Sequence, residues 1–202
     1  MPIEEAMPVT HHPTRDEALA LLLEWNQNES LIKHALAVEG VMRYMARRRG
    51  ADVEQWGIVG LVHDLDYERH PQEHCAKTEE ILTGLDWPPE MVRAIKSHGF
   101  GLCTDVEPKL EMEKVLYAVD ELVGLVTAAA LVRPSRSVHD LEPSSVAKKW
   151  KDKSFAAGAN REVIERGAQM LGMDLRQLFA DVIQGMRDVA DSVGLKGNVP
   201  RA

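Results

Sequence analysis

Along most of this chain hydrophobic residues recur at intervals of three and four rather than in alternation, the spacing of one buried face of an α-helix. The longest clear case covers residues 29–49, where Leu31, Ala35, Val38, Met42 and Met45 form a stripe. Gly50 closes it, and Arg47, Arg48 and Arg49 fill the last turn, where cations suit the helix dipole. Upstream, Thr14 with Glu17 three places on is a capping-box pattern opening a short helix through Glu24. Downstream, Asp52 and Gln55 offer an N-cap and its partner for an apolar run that ends in the adjacent pair His63-Asp64. Gly57 and Gly60 in that run would let a neighbouring helix come close, although each weakens a helix by roughly 1 kcal/mol relative to Ala.

Pro71 starts another predicted helix, leaving His70 outside it and placing His74, Thr78, Ile81 and Leu85 on one face. Gly84 and Asp86 end it. Pro88 and Pro89 begin the next, on which Met91, Ala94, Ile95 and His98 share a side before Gly99. A loop with Gly101, Cys103 and Pro108 leads to the most apolar helix, 110–132, stopped by Pro134. Short helices and turns over 137–153, then helices over 160–171 and 174–193, complete a chain with no strand-like alternation. The expectation is an all-α fold: one domain over 14–193, between a loose leader, 1–13, and a tail, 194–202.

Composition changes this picture little. At 202 residues the chain can bury a core without staples, and with aromatics at 5% that core must be aliphatic. A formal charge of −8 argues against a nucleic-acid binder that works by bulk electrostatics and leaves room for a local basic patch. The uninterrupted part of the longest apolar tract, 122–132, is too short to span a bilayer, and the acidic start lacks a secretory pattern. Cys75 and Cys103 are the only cysteines; without a Cys-x-x-Cys they exclude a thiolate zinc finger and point to a reducing compartment, most simply the cytoplasm.

Five places on these apolar faces carry the wrong chemistry: His34 beside Leu31 and Val38, the pair His63-Asp64, then His74, His98 and Asp120. Each has an ordinary explanation. A lone helical histidine is more often a hydrogen-bonded core residue, His98 suits a helix C-terminus, and His74 suits a solvent-exposed helix start. Asp120 could pair with Arg43 or Arg93, and His139-Asp140 shows that the dipeptide also arises by chance. A divalent metal would satisfy all of them at once, because imidazole and carboxylate are its common ligands and an unpaired buried carboxylate costs several kcal/mol.

In chain order, His34, His63-Asp64 and Asp120 resemble the signature of the HD superfamily of metal-dependent hydrolases, over about 29–132. The resemblance implies a compact helical HD-domain bundle, followed here by a helical extension, 133–193. His74 and His98 are similar to the extra ligands of its binuclear branch. That implies one metal held by His34, His63, Asp64 and Asp120, and a second held by Asp64, His74 and His98, with one or two divalent ions (Mn, Fe, Co, Ni or Zn) bound. The chain lacks a Gly-Tyr-Pro segment, and Leu65-Asp66-Tyr67-Glu68 departs from the His-Asp-x-x-Glu-Asp pattern of the ppGpp hydrolases. The layout of His74 and His98 is similar to that of the binuclear diadenosine tetraphosphate hydrolases.

The implied activity is cleavage of a phosphoester or phosphoanhydride in a nucleotide or other small phosphorylated metabolite by metal-activated hydroxide. Asp64 is its centre, with Asp66 and Glu68 as candidates for orienting ligands or moving protons, or simply solvated loop acids. The basic island Lys148, Lys149 and Lys151, helped by Arg133 and Arg136, is a candidate phosphate clamp, the alternative being a solvated helical face. Two other functions fit the same residues: a di-iron oxygenase of this superfamily cleaving a C–C or C–P bond, and a non-catalytic metal-binding module. No membrane partner is expected, and a homo-oligomer is compatible with all three.

Overall fold

The computed structural model describes residues 10–198, which form nine α-helices and no strand. Expectations for residues 1–9 and 199–202 lie outside the described residues.

Helix α3 (Val53–Val62) sits at the centre, for a reason its sequence makes plain: every residue from Trp56 to Val62 is buried. A helix that is apolar all round has to be wrapped. Helix α2 (Glu29–Arg49) lies along it, and α1 (Arg15–Trp25) and α5 (Pro89–Ser97) pack on other sides. Helix α6 (Glu111–Leu131), nearly as apolar, packs on α2 and α5 and carries α7 (Pro143–Trp150), α8 (Arg161–Met170) and α9 (Leu175–Asp188). Helix α4 (Ala76–Gly84) packs on α5.

Local signals set the helix ends as the sequence suggested. Thr14 and Glu17 form a reciprocal capping box, Asp52 accepts a hydrogen bond from the Gln55 amide at 3.0 Å, and Gly50 ends α2 in the left-handed conformation. The α2–α3 approach depends on Gly60, where a methyl group would lie 3.1 Å from the Val38 carbonyl oxygen and 3.2 Å from the Glu39 Cα. Buried Glu39 on α2 is met by Arg15 from α1 and by Arg43. No helix among the described residues is long and apolar enough to cross a membrane.

Two elements depart from expectation. Instead of a helix running from Pro71, a single 3-10 turn (Pro71–Glu73) is followed by extended His74 and by Cys75 in the left-handed region at φ 67°, and only then by α4. His74 is therefore off the helix that carries Thr78. The reason is a long-range cap: Asp66 accepts the Thr78 amide of α4's first turn at 2.9 Å while its other oxygen contacts His74 Nδ1 at 2.7 Å. At the C-terminal end α9 stops at Asp188, short of the expected 193. There Arg187 donates to the carbonyls of Val138 and Leu141, fastening the segment between α6 and α7.

Candidate metal centre

The C-terminus of α3 delivers His63 and Asp64, α2 delivers His34, α6 delivers Asp120, the C-terminus of α5 delivers His98, and the break before α4 delivers His74. All six side chains meet. His34 Nε2 lies 2.8 Å and His63 Nε2 3.2 Å from Asp120 Oδ1. Asp64 divides its carboxylate between two sides. Oδ2 is 3.4 Å from His63 Nε2 and 3.9 Å from His34 Nε2, whereas Oδ1 is 3.4 Å from His74 Nε2 and 3.3 Å from His98 Nε2. The last two nitrogens are 3.2 Å apart.

The histidines are aimed by what their other nitrogens do. His63 Nδ1 donates to the Gly60 carbonyl, His98 Nδ1 to the Ile95 carbonyl, and His74 Nδ1 to Asp66. In the neutral imidazole each of these leaves a lone pair on Nε2 facing the cluster, the arrangement by which metal-ligating imidazoles are commonly oriented. With metal–ligand bonds of about 2.0–2.2 Å, ligand atoms around one ion lie roughly 3.0–3.5 Å apart. The spacings found are of that size, so the residues fit divalent ions. His34, His63, Asp64 and Asp120 form one compact ligand group; His74 and His98 form another, with Cys75 Sγ within 4.8 Å of their ligand nitrogens.

The same geometry explains the charges. Burial disfavours an imidazolium at His63, but the Asp64 and Asp120 carboxylates outweigh it and hold the ring well above its ordinary pKa. His74 is raised too, Asp66 and Asp64 overcoming burial. Asp64 and Asp120 are pushed well below the usual carboxylate range despite burial, Asp64 by His63 and His98, Asp120 by His63 and His34. The alternative partners for Asp120 are engaged elsewhere: Arg43 with Glu39 and Glu54, Arg93 with Glu113.

The cluster forms one wall of a cavity of about 580 Å³. Its rim is apolar, including Leu31, Tyr67, Pro71 and Leu102, and Tyr67 stands edge-on to the His74 ring. Glu121 lines it as well; burial pushes that carboxyl up, and it accepts the Asn160 amide at 2.9 Å.

The expected clamp lies elsewhere. Arg133 is bound to Asp140, Lys149 sits over the Phe155 ring, and Lys148 and Lys151 are exposed; none of the four lines the cavity. What closes on it from that segment is the small-residue stretch holding Ala156, Gly158 and Ala159, fixed by Arg161, which donates to the Trp150, Asp152 and Phe155 carbonyls. Arg136 lines an adjoining cavity with Lys33. Glu68 faces away from the cluster and accepts the Gln27 and Asn28 amides at the start of α2.

Asp66 is fully buried and acts through His74, as a positioning residue. In Asp66→Asn the retained oxygen would accept the Thr78 amide and the new NH₂ would donate to His74 Nδ1, moving the imidazole proton to Nε2. Metal affinity at the His74–His98 side is expected to drop about 10–100-fold with the fold intact. Isothermal titration of chelated protein reads this directly, and an unchanged affinity would remove Asp66 from the site.

Fold and site together define a helical protein with a His/Asp centre suited to divalent metal. Residues 31–125 match the HD domain family model, and the His/Asp cluster they carry is consistent with an HD metal site. Members of that family are typically metal-dependent phosphohydrolases. No solved structure gives a significant match to the chain.

Proposed function

We propose that the protein is a metal-dependent phosphohydrolase with a binuclear centre, acting on a small phosphorylated metabolite. The observation that carries this reading is the split of the Asp64 carboxylate, one oxygen toward His34 and His63 and the other toward His74 and His98. The HD-domain match over residues 31–125 and a cavity of small-molecule size support it. Two divalent ions held there would supply hydroxide at neutral pH and neutralise charge on the phosphoryl oxygens.

The chain's own residues do the rest. Among the described residues no Lys or Arg lines this cavity, so the protein offers the phosphoryl group no cation of its own at the centre. The apolar rim at Leu31, Tyr67 and Leu102 excludes water and receives the non-reacting part of the substrate. Glu121, whose carboxyl burial pushes up, is placed to give a proton to the departing oxygen. The free thiols of Cys75 and Cys103 are in keeping with work in the cytoplasm.

The test pairs elemental analysis of the purified chain with phosphate release from a panel of nucleotides and small phosphoesters. About two ions per chain and turnover of at least one panel member are expected. Stoichiometric metal with no phosphate released from any member would end the reading.

A further inference from the structure

Two cysteines 28 positions apart, one of them next to His74 in the chain, meet with their sulfurs 3.0 Å from each other. Cys75 is 1% exposed, whereas Cys103 is exposed and lines the metal-centre cavity. The pair therefore runs from the interior to solvent. Nothing in the hydrolytic reading uses either thiol.

Three features hold the sulfurs together. Cys75 adopts the left-handed backbone at φ 67°, a conformation costly for a residue other than glycine. Gly99, next to His98, leaves the space they occupy: a Cβ there would fall 2.3 Å from Cys103 Sγ and 2.7 Å from Cys75 Sγ. The loop after Gly99 is wound tightly, the amides of Leu102, Cys103 and Thr104 all pointing at the Gly99 carbonyl.

We propose that Cys75 and Cys103 are a reversible dithiol–disulfide pair, oxidised by hydroperoxide, that covalently joins the segment carrying His74 to the loop following His98. In the first step the solvent-facing Cys103 sulfur attacks one peroxide oxygen. The O–O bond breaks, leaving a sulfenic acid, and the departing hydroxide takes the thiol proton as water. In the second step the Cys75 sulfur attacks the sulfenic sulfur. The S–O bond breaks, and the second hydroxide leaves with the Cys75 proton as water. Two thiols have lost two electrons and two protons, and one hydrogen peroxide has become two waters. A disulfide needs its sulfurs about 2.05 Å apart, so closure requires roughly 1 Å of movement between them. An external dithiol reverses it by exchange at the exposed sulfur.

The bond would tie together two backbone segments whose imidazole nitrogens are 3.2 Å apart. It stands independently of which substrate the centre serves.

The test uses the full, metal-loaded chain, treated with a few equivalents of hydrogen peroxide, alkylated and digested without reduction. The expected result is a mass loss of about 2 Da, a cross-linked Cys75–Cys103 peptide, and both thiols recovered after dithiothreitol. Bond formation should be at least about tenfold faster in the native protein than in concentrated urea, since the fold supplies the proximity. Cys75→Ser should instead add oxygen to Cys103. Two free thiols after peroxide, a link between chains, oxygen added to Cys103 beside an intact Cys75 thiol in the wild type, or equal native and urea rates would each overturn the proposal.

Discussion

Asp64→Asn is expected to lower the hydrolytic rate by about three to four orders of magnitude, the equivalent of roughly 4–5.5 kcal/mol of transition-state stabilisation. Of the six ligand candidates only Asp64 faces both halves of the cluster, Oδ2 toward His34 and His63 and Oδ1 toward His74 and His98. An amide keeps the shape but removes the charge from both positions, so metal content should fall from about two per chain to one or fewer. The folded structure should survive, because the substitution adds no volume and leaves the apolar packing of α3 untouched. Far-UV circular dichroism controls for this. Metal-supplemented Asp64→Asn with a rate within tenfold of wild type would refute the central role of this carboxylate.

Stripping metal should change not only stability but its dependence on pH. In the metal-free protein Asp64 and Asp120 are depressed, so their contribution is present above the unfolded carboxylate pKa of about 4 and is lost as pH falls through their folded values. His63 and His74 are raised, so theirs is complete below about pH 6.5 and is lost as pH rises through their folded values. Chelated protein should therefore be most stable between about pH 4 and 6.5. Metal binds the neutral imidazoles, so adding it should help little at about pH 5 and most at about pH 8. At a hundredfold excess over its dissociation constant one ion contributes about 2.7 kcal/mol, or roughly 5–10 °C in melting temperature for a domain of this size. Thermal melts with chelator or manganese across pH would show this. An equal gain at acid and alkaline pH would count against proton–metal competition at the cluster.

Much of this centre is visible in the sequence because its parts lie on regular helices. His34 and Asp120 stand on apolar stripes, and His63-Asp64 ends a helix whose N-cap and glycines are both legible. The sequence marks His74 as a candidate ligand but places it on a helix, and its true position was hidden for a physical reason: the left-handed turn at Cys75 has no local signal, since the residue that usually announces it is glycine. Only Asp66, reaching both His74 and the Thr78 amide, makes that turn worthwhile. The lysine island misled because charge shows exposure, not direction; Arg161 bends the segment so that alanine and glycine face the cavity. Glu68, anchored to amides some forty residues away, and the Cys75–Cys103 contact depend on tertiary proximity that no spacing rule reveals.

If both halves of the cluster bind metal, the divided carboxylate of Asp64 makes them thermodynamically inseparable. Charge placed against Oδ2 alters what Oδ1 can offer, and linkage requires the effect to be reciprocal. A change in affinity at the His34–His63 side on filling the other must equal the change at the His74–His98 side on filling the first. With an ion in each half, neither position would have a single intrinsic binding constant; each would have two, and their ratio would be a property shared by the pair.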